Sequence, residues 1–418
     1  MTRSPSLNRL GIVGPILLGS VLAQVTAQEV QEIGTLSREE QPVQMSDDIY
    51  RRLTAIHELY EAGEIDDALR RLEGLQNQRL SVYEATLLQQ YFGFCYLEEG
   101  DVEGAIEAFE RTVSLDGLPN VGQQAMRYSL AGLYSAEGQF EQTIATMSTW
   151  YAYAEEPVDA DKYMLTGSSY AQLSQYADAV PYVEKAIGRS EEPNESWYTL
   201  ELSLHFELMD YRSAVDHLRE MVVIWPDNAS YWEMLASAYL ELQDDTNALA
   251  TLMVAYENGL VEEEARLLNL IRLNLFLDVS YQAGLILEAG LADGSITTTQ
   301  GNLELLLSAW TSAREFDRAL DVIDRLAPLT DSGDYYLQKA QLLNERARWA
   351  DVIEAADSAL EMGGFDDVGS TLVLKGMAQA ELGQYEAALV TFEQARGLDP
   401  AAEAWIDYVT DRRRAAVN

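Results

Sequence analysis

Apolar residues recur in pairs of short stretches along this chain, and each stretch carries a single apolar stripe. The stripe residues between positions 231 and 260 are Trp232, Leu235, Ala236 and Tyr239 in the first stretch and Ala248, Leu252 and Ala255 in the second. Spacings of three and four residues place each set on one face of an α-helix. The acidic turn 243–245 separates the two stretches, and Gly259 ends the second because glycine tolerates a left-handed cap. The pattern therefore predicts a helical hairpin.

Copies of this hairpin fill most of the chain. They are aligned on the small residue near the start of the second helix, which we call the ruler residue. The ruler residues are Ala68, Ala105, Thr143, Ala179, Ala214, Ala248, Ala283, Ala319, Val352 and Ala388. Neighbouring ruler residues are 33 to 38 positions apart, a period that is typical of stacked helical repeats. Thr143, Val352 and the copy around Ala283 depart most from the consensus.

The last copy, LVLKGMAQAELGQYEAALVTFEQARGLDP, shows the spacing best. It places Gly376 at position 8, Ala388 at position 20, Phe392 at position 24 and Pro400 at position 32. This spacing resembles the tetratricopeptide repeat (TPR). The resemblance implies an all-α fold, a right-handed superhelical solenoid of about ten TPR helix pairs over residues 46–400. A C-terminal capping helix would follow at residues 401–418. Residues 28–45 are polar and unpatterned, and we expect a flexible segment there.

The first 27 residues differ from the rest of the chain. Arg3 and Arg9 precede an apolar stretch that ends in Val25-Thr26-Ala27, a small-x-small cleavage pattern. This predicts a signal peptide at residues 1–27 and an exported protein, with an uncleaved membrane anchor as the alternative. No later stretch reaches the roughly 18 apolar residues that a span needs, so we expect no stable membrane span after cleavage.

Composition and motifs exclude several classes of function. A formal net charge of −41 repels phosphate backbones, which argues against nucleic-acid binding. Cys95 is the only cysteine, so no intrachain disulfide can form, and its helical setting indicates a buried, inert thiol. The three histidines, His57, His205 and His217, fit no metal or catalytic motif and are expected to be structural or solvated. We therefore predict a protein that is no enzyme and has no cofactor or metal site.

Function should then lie on the concave groove, which the first helix of each TPR pair usually lines. The groove positions in the middle of the array are Asp161, Met164, Ser168, Ser196, Thr199, Ser203, Phe206, Ser230, Glu233, Ser237 and Leu240. They lack the lysine, arginine and asparagine that clamp acidic C-termini in related proteins. Small hydroxyls and scattered apolar groups suit an extended peptide held by backbone contacts. The alternative is a groove that is merely solvated.

Three segments carry a more specific resemblance. They are IYRRLTAIHELYEAGEIDDALRRLEGL, SVYEATLLQQYFGFCYLEEGDVEGAIEAFE and VVIWPDNASYWEMLASAYLELQDDTNALATLMVAYENGL. The chain resembles periplasmic TPR proteins encoded with TonB–ExbB–ExbD systems in proteobacteria. This resemblance implies a periplasmic scaffold of TonB-dependent outer-membrane transport. Its partner would be a protein or peptide, such as a basic or proline-rich segment of a TonB-type protein or its receptor. The alternative is an adaptor for cell-envelope or exopolysaccharide assembly.

The register of the array leads to a test at its ruler position. Ala248→Trp should force the two helices of its pair apart and weaken the neighbouring repeats. Overpacking of this kind typically costs about 1–3 kcal/mol, which should appear as a lower melting temperature. Unchanged melting would mean that the register is wrong.

Overall fold

The computed structural model describes residues 30–417, and these residues form helices and connecting loops without a β-strand. The predicted signal peptide, residues 1–27, lies outside the described residues. Within residues 30–417, no helix combines the length and apolar character that crossing a membrane requires. The chain divides after His217 into two compact units.

The first unit contains four complete helix pairs and the beginning of a fifth. Its helices are α1 (Asp47–Glu61), α2 (Ile65–Gln76), α3 (Val82–Glu99), α4 (Val102–Leu115), α5 (Asn120–Ala136), α6 (Phe140–Tyr153), α7 (Ala160–Gln172), α8 (Tyr176–Arg189), α9 (Glu195–Glu207) and the first half of α10 (Tyr211–Ile224). We call the first helix of each pair its A helix and the second its B helix. The A helices α1, α3, α5 and α7 pack against their own B helices, and each B helix up to α8 contacts the A helix that follows.

The second unit continues the same arrangement and ends in a single helix. Its helices are the rest of α10, α11 (Ala229–Glu241), α12 (Asp245–Glu257), α13 (Glu264–Phe276), α14 (Ser280–Asp293), α15 (Gln300–Ser312), α16 (Phe316–Leu326), α17 (Asp334–Glu345), α18 (Trp349–Met362), α19 (Val368–Glu381), α20 (Tyr385–Ala395) and α21 (Ala401–Val417). Trp405 of α21 stacks on Phe392 of α20, with 5.9 Å between ring centroids. The predicted array of about ten pairs with a capping helix is thus confirmed.

The close approach of the helices in each pair occurs at the predicted ruler residues. All ten, including the atypical Thr143 and Val352, are 0% exposed. The hydroxyl of Thr143 donates to the carbonyl of Ala131 on its A helix, at 3.3 Å, so the ruler residue faces position 8 of the same repeat. A Cβ added at Gly376, the position 8 residue of the last pair, would lie 2.6 Å from Phe392. The small residues are therefore required by packing.

Each pair is joined by a turn with one left-handed residue, five positions before its ruler residue. These turn residues are Gly63, Gly100, Gly138, Ser174, Met209, Gln243, Asp278, Arg314, Ala347 and Gly383, and all have φ between 53° and 79°. In the turn at Gln243, the amide of Asp244 donates to the carbonyl of Tyr239 at 2.9 Å, which closes a Schellman-type cap. Six of the ten positions carry a side chain in a backbone conformation that favours glycine.

Cys95 lies in this packed interior, as its helical setting predicts. It is 0% exposed, and burial, together with the charges of Glu99 and Glu98, raises the pKa of its thiol to about 11. The predicted burial of Cys95 is confirmed, and a thiol with a raised pKa carries little of the nucleophilic thiolate at neutral pH.

Replacing a turn side chain by glycine should stabilise the chain. Left-handed backbone costs a non-glycine residue about 1–2 kcal/mol, whereas the added freedom of glycine in the unfolded chain costs about 0.5–1 kcal/mol. Ala347→Gly should therefore raise the free energy of unfolding by about 0.5–1 kcal/mol, measured by urea denaturation. Ala350→Gly is the matched control, since Ala350 is also exposed but lies in α18. A loss of stability with Ala347→Gly would contradict the strain at this turn.

Candidate functional site

The A helices α11 and α13 of the second unit border a cavity of about 570 Å³. Three of the predicted groove residues, Glu233, Ser237 and Leu240, line it from α11, whereas Ser230 lies outside its lining. Leu240 is 41% exposed, and Phe276 at the end of α13 is 73% exposed. The cavity thus presents apolar side chains directly to solvent.

Basic and amide side chains of α13 line the same cavity. Arg266 forms an ion pair with Glu233 of α11, with 2.9 Å between Arg266 Nε and Glu233 Oε1. Arg272 makes only a long contact with Asn269, with 3.5 Å between Nη1 and Oδ1, and it forms no ion pair within residues 30–417. A guanidinium without a carboxylate partner is notable in a chain of net charge −41. It is a donor available to a ligand.

These α13 residues lie one repeat beyond the predicted groove positions, which end at Leu240. Arg272 lies 35 positions after Ser237, and the same distance separates the ruler residues Ala248 and Ala283. Extending the groove positions by one repeat would have found Arg272. Arg266, Asn269 and Phe276 lie at other positions of the repeat, so the position rule alone does not identify them.

The other predicted groove residues lie on α7 and α9 of the first unit. Asp161, Ser196, Thr199 and Ser203 are exposed, while Met164, Ser168 and Phe206 are half-buried. The hydroxyls of Ser168, Thr199 and Ser203 donate to carbonyls of their own helices, at 3.1, 2.8 and 2.7 Å. The hydroxyl of Ser196 donates to Asn194 Oδ1 at 2.7 Å. These hydroxyl donors are already used within the chain and are less available than the guanidinium of Arg272.

The first unit has a larger cavity, of about 860 Å³, away from the predicted groove residues. Its lining from α2, α3 and α4 includes Gln76, Gln89 and Ser114 together with Leu88 and Leu115. Leu88 is buried and Leu115 is 38% exposed. This lining offers less exposed apolar surface than the cavity between α11 and α13. We therefore take the α11–α13 cavity as the candidate binding site.

The N-terminal segment, residues 30–45, lies along the first unit. Its backbone amides at Gly34 and Leu36 donate to the carbonyls of Tyr151 and Ala152 at the end of α6, at 3.0 and 2.8 Å. Val30 and Ile33 pack on the aromatic cluster that includes Trp150, Tyr151 and Tyr182. The polar composition does not reveal the hydrogen bonds at Gly34 and Leu36, because backbone atoms form them.

Arg38 is the main side-chain anchor of the N-terminal segment. Its guanidinium donates to Asp116 Oδ1 at 2.9 Å and to the carbonyls of Asp116 and Leu118 at 2.7 Å each. Asp116 is the left-handed C-cap of α4, where unpaired carbonyls and the helix dipole favour a cation. The Arg38 side chain is 5% exposed, so water screens these contacts little.

The histidines occupy two kinds of environment. His57 is exposed on α1, whereas His205 of α9 and His217 of α10 are buried. Both buried rings face the carboxylate of Glu201, which is itself buried on α9. Because His205 and His217 lie on different helices, the sequence alone does not place their rings together.

Two segments of the chain match models of the tetratricopeptide repeat, residues 199–269 and residues 369–401. The chain therefore contains tetratricopeptide repeats, and its helix pairs form a TPR solenoid. Such repeats typically form non-catalytic scaffolds for protein interaction. The first matched segment includes Glu233, Ser237, Leu240 and Arg266 of the candidate site.

Relatives of the chain carry the same repeat. The chain is 23% identical over 233 residues to "TPR repeat-containing protein YpiA" of Bacillus subtilis (strain 168). The alignment covers 56% of this chain and 49% of YpiA, so the chain spans about half the length of this relative.

Two solved structures are also similar to the chain. A tetratricopeptide repeat protein from Parabacteroides merdae ATCC 43184 has 15% identity and a TM-score of 0.35, covering 63% of this chain and 99% of that one. YrrB, described as a TPR protein with an unusual peptide-binding site, has 13% identity and a TM-score of 0.34, covering 44% of this chain and 90% of its own.

Removing the Arg38 side chain should release the N-terminal segment. Hydrogen bonds to charged groups contribute about 1.5–3 kcal/mol each, so Arg38→Ala should speed amide exchange at Gly34 and Leu36 by more than about tenfold. Arg51→Ala is the matched control, because Arg51 is exposed and bonds only within α1, to the carbonyl of Asp47. Equal exchange rates in the two variants would show that Arg38 does not hold the segment.

Proposed function

We propose that this protein is a peptide-binding scaffold whose ligand lies in the α11–α13 cavity. The observation that carries the proposal is the combination of exposed apolar side chains and unused donors in one groove. Leu240, Leu273 and Phe276 provide the apolar surface, and Arg272 and Asn269 provide the donors. An extended ligand with its own backbone acceptors would satisfy both.

A proline-rich segment fits this chemistry. Polyproline II helix has no internal hydrogen bonds, so its carbonyls need external donors such as Arg272, Asn269 and Ser237. Proline rings bind to grooves with exposed aromatic side chains, and Phe276 is 73% exposed here. Lysines flanking the prolines would be attracted by the net charge of −41 of the whole chain.

The more specific proposal is a periplasmic role in TonB-dependent outer-membrane transport, as the resemblance of the sequence implies. TonB-type linkers are rich in proline, which suits the apolar groove, and in lysine, whose charge is opposite to that of the whole chain. The acidic chain would speed their association, and the effect would decrease with added salt. Support for this proposal comes from the apparent signal peptide, the resemblance and the chemistry of the groove.

Peptide titration tests the groove. A fluorescent proline- and lysine-rich peptide should bind the full mature chain with an affinity that falls as salt is raised. Phe276→Ala should weaken binding by about tenfold or more, because aromatic anchors dominate such interfaces. Val390→Ala is the control, since Val390 is 61% exposed on α20 and does not line the cavity. Equal affinities in the two variants would rule out the α11–α13 cavity as the binding site.

Crosslinking in cells tests the TonB assignment separately. Photo-crosslinkers at Ser237 should capture a TonB-type protein, ExbD or an outer-membrane receptor from the periplasm, and Phe276→Ala should reduce the yield. Capture of cell-envelope or exopolysaccharide assembly proteins at the same position would support the adaptor alternative. Recovery of neither group would contradict both roles, while the peptide titration would still decide whether the groove binds peptides.

A further inference from the structure

A cluster of two carboxylates and two imidazoles lies in the first unit, whereas the α11–α13 cavity belongs to the second. Glu201 and His205 are one turn apart on α9, Glu184 lies on α8 and His217 on α10. Glu201, His205 and His217 are at most 8% exposed, whereas Glu184 is at the surface. A buried carboxylate requires a compensating positive charge, because transfer of an unpaired charge from water is costly.

The distances within this cluster do not suit hydrogen bonds. His205 Nε2 and His217 Nδ1 both lie 3.5 Å from the same oxygen, Glu201 Oε1. A charge-assisted N–H···O bond is normally 2.7–2.9 Å long. Two ligands of one tetrahedral zinc ion, with bonds of about 2.0–2.1 Å, are about 3.4 Å apart. The observed separations therefore match the edges of a metal coordination sphere.

The hydrogen bonding of His217 leaves its inner nitrogen available. His217 Nε2 lies 2.9 Å from the carbonyl of Tyr198. A carbonyl can only accept, so Nε2 carries the hydrogen and a neutral ring has its lone pair on Nδ1, facing Glu201. A backbone carbonyl in this position is a common outer-shell partner of metal-binding histidines, because it fixes the tautomer.

Glu184 of α8 supplies the second carboxylate of the cluster. One ligand atom from each of Glu184, Glu201 and His205 lies within 4.8 Å of the others. His205 Nδ1 is buried and meets no hydrogen-bonding partner within residues 30–417. The described residues alone therefore leave the polar groups of this cluster poorly satisfied.

We propose that Glu184, Glu201 and His205 bind one divalent transition-metal ion of the zinc class. Two carboxylates balance the charge of such an ion, and the ring of His217 lies beside the three ligands, with Nδ1 3.5 Å from Glu201 Oε1. An imidazole ligand favours zinc, nickel or cobalt over magnesium and calcium, which take oxygen ligands. Because the ligands come from α8 and α9, the ion would join the fourth repeat to the fifth.

Zinc titration of the full mature chain, prepared without a polyhistidine tag and stripped with EDTA, tests the proposal. Calorimetry should give one zinc ion per chain, and cobalt should give the visible spectrum of a tetrahedral site. Glu184→Gln and His205→Gln should each weaken zinc binding by more than about tenfold, since even outer-shell partners contribute 10–100-fold. Excess magnesium should not displace the ion.

Matched controls separate this site from general attraction to an acidic surface. Glu191→Gln makes the same charge change at an exposed position after α8, and His57→Gln removes the exposed histidine. Both should leave zinc affinity unchanged. If His205→Gln fails to fold, Glu184→Gln decides the question, because Glu184 lies at the surface. Absence of zinc binding, displacement by magnesium, or equal affinities for Glu184→Gln and Glu191→Gln would overturn the proposal.

Discussion

The close contact between the A and B helices of each repeat is the constraint on which the rest of the structure depends. A small residue at the ruler position faces position 8 of its partner helix, and the hydroxyl of Thr143 shows how near the two backbones lie. The left-handed turn residue five positions earlier sets the direction of the second helix. With both features fixed, bulky residues such as Phe392 fill the remaining space in the pair.

Because packing and turn chemistry use only some positions of each repeat, the remaining positions are free to carry function. The α11–α13 cavity and the cluster around Glu201 use this freedom in opposite ways. The cavity places Leu240 and Phe276 where solvent reaches them, whereas the cluster places Glu201, His205 and His217 in the interior. The first arrangement suits a ligand that comes and goes, and the second suits a component that stays bound.

The sequence predicts the helix pairs well because the period of apolar and small residues is a local property. It predicts Glu233, Ser237 and Leu240 as groove residues for the same reason, and these three do line one cavity. Side-chain contacts between different helices are harder to foresee. Neither the approach of His217 to Glu201 nor that of Arg266 to Glu233 follows from spacing, because each pair joins different helices whose separation depends on packing.

The attachment of the N-terminal segment has a consequence for competition. A segment that is covalently linked to its own binding surface is present there at an effective concentration on the order of millimolar. An external peptide that binds the ends of α4 and α6 competes with Gly34, Leu36 and Arg38 for the same partners. At equal affinity, its concentration would have to exceed the effective concentration of the attached segment before it displaced these residues. The covalent link of the segment therefore excludes weakly binding ligands from this surface of the first unit, and no steric barrier is needed.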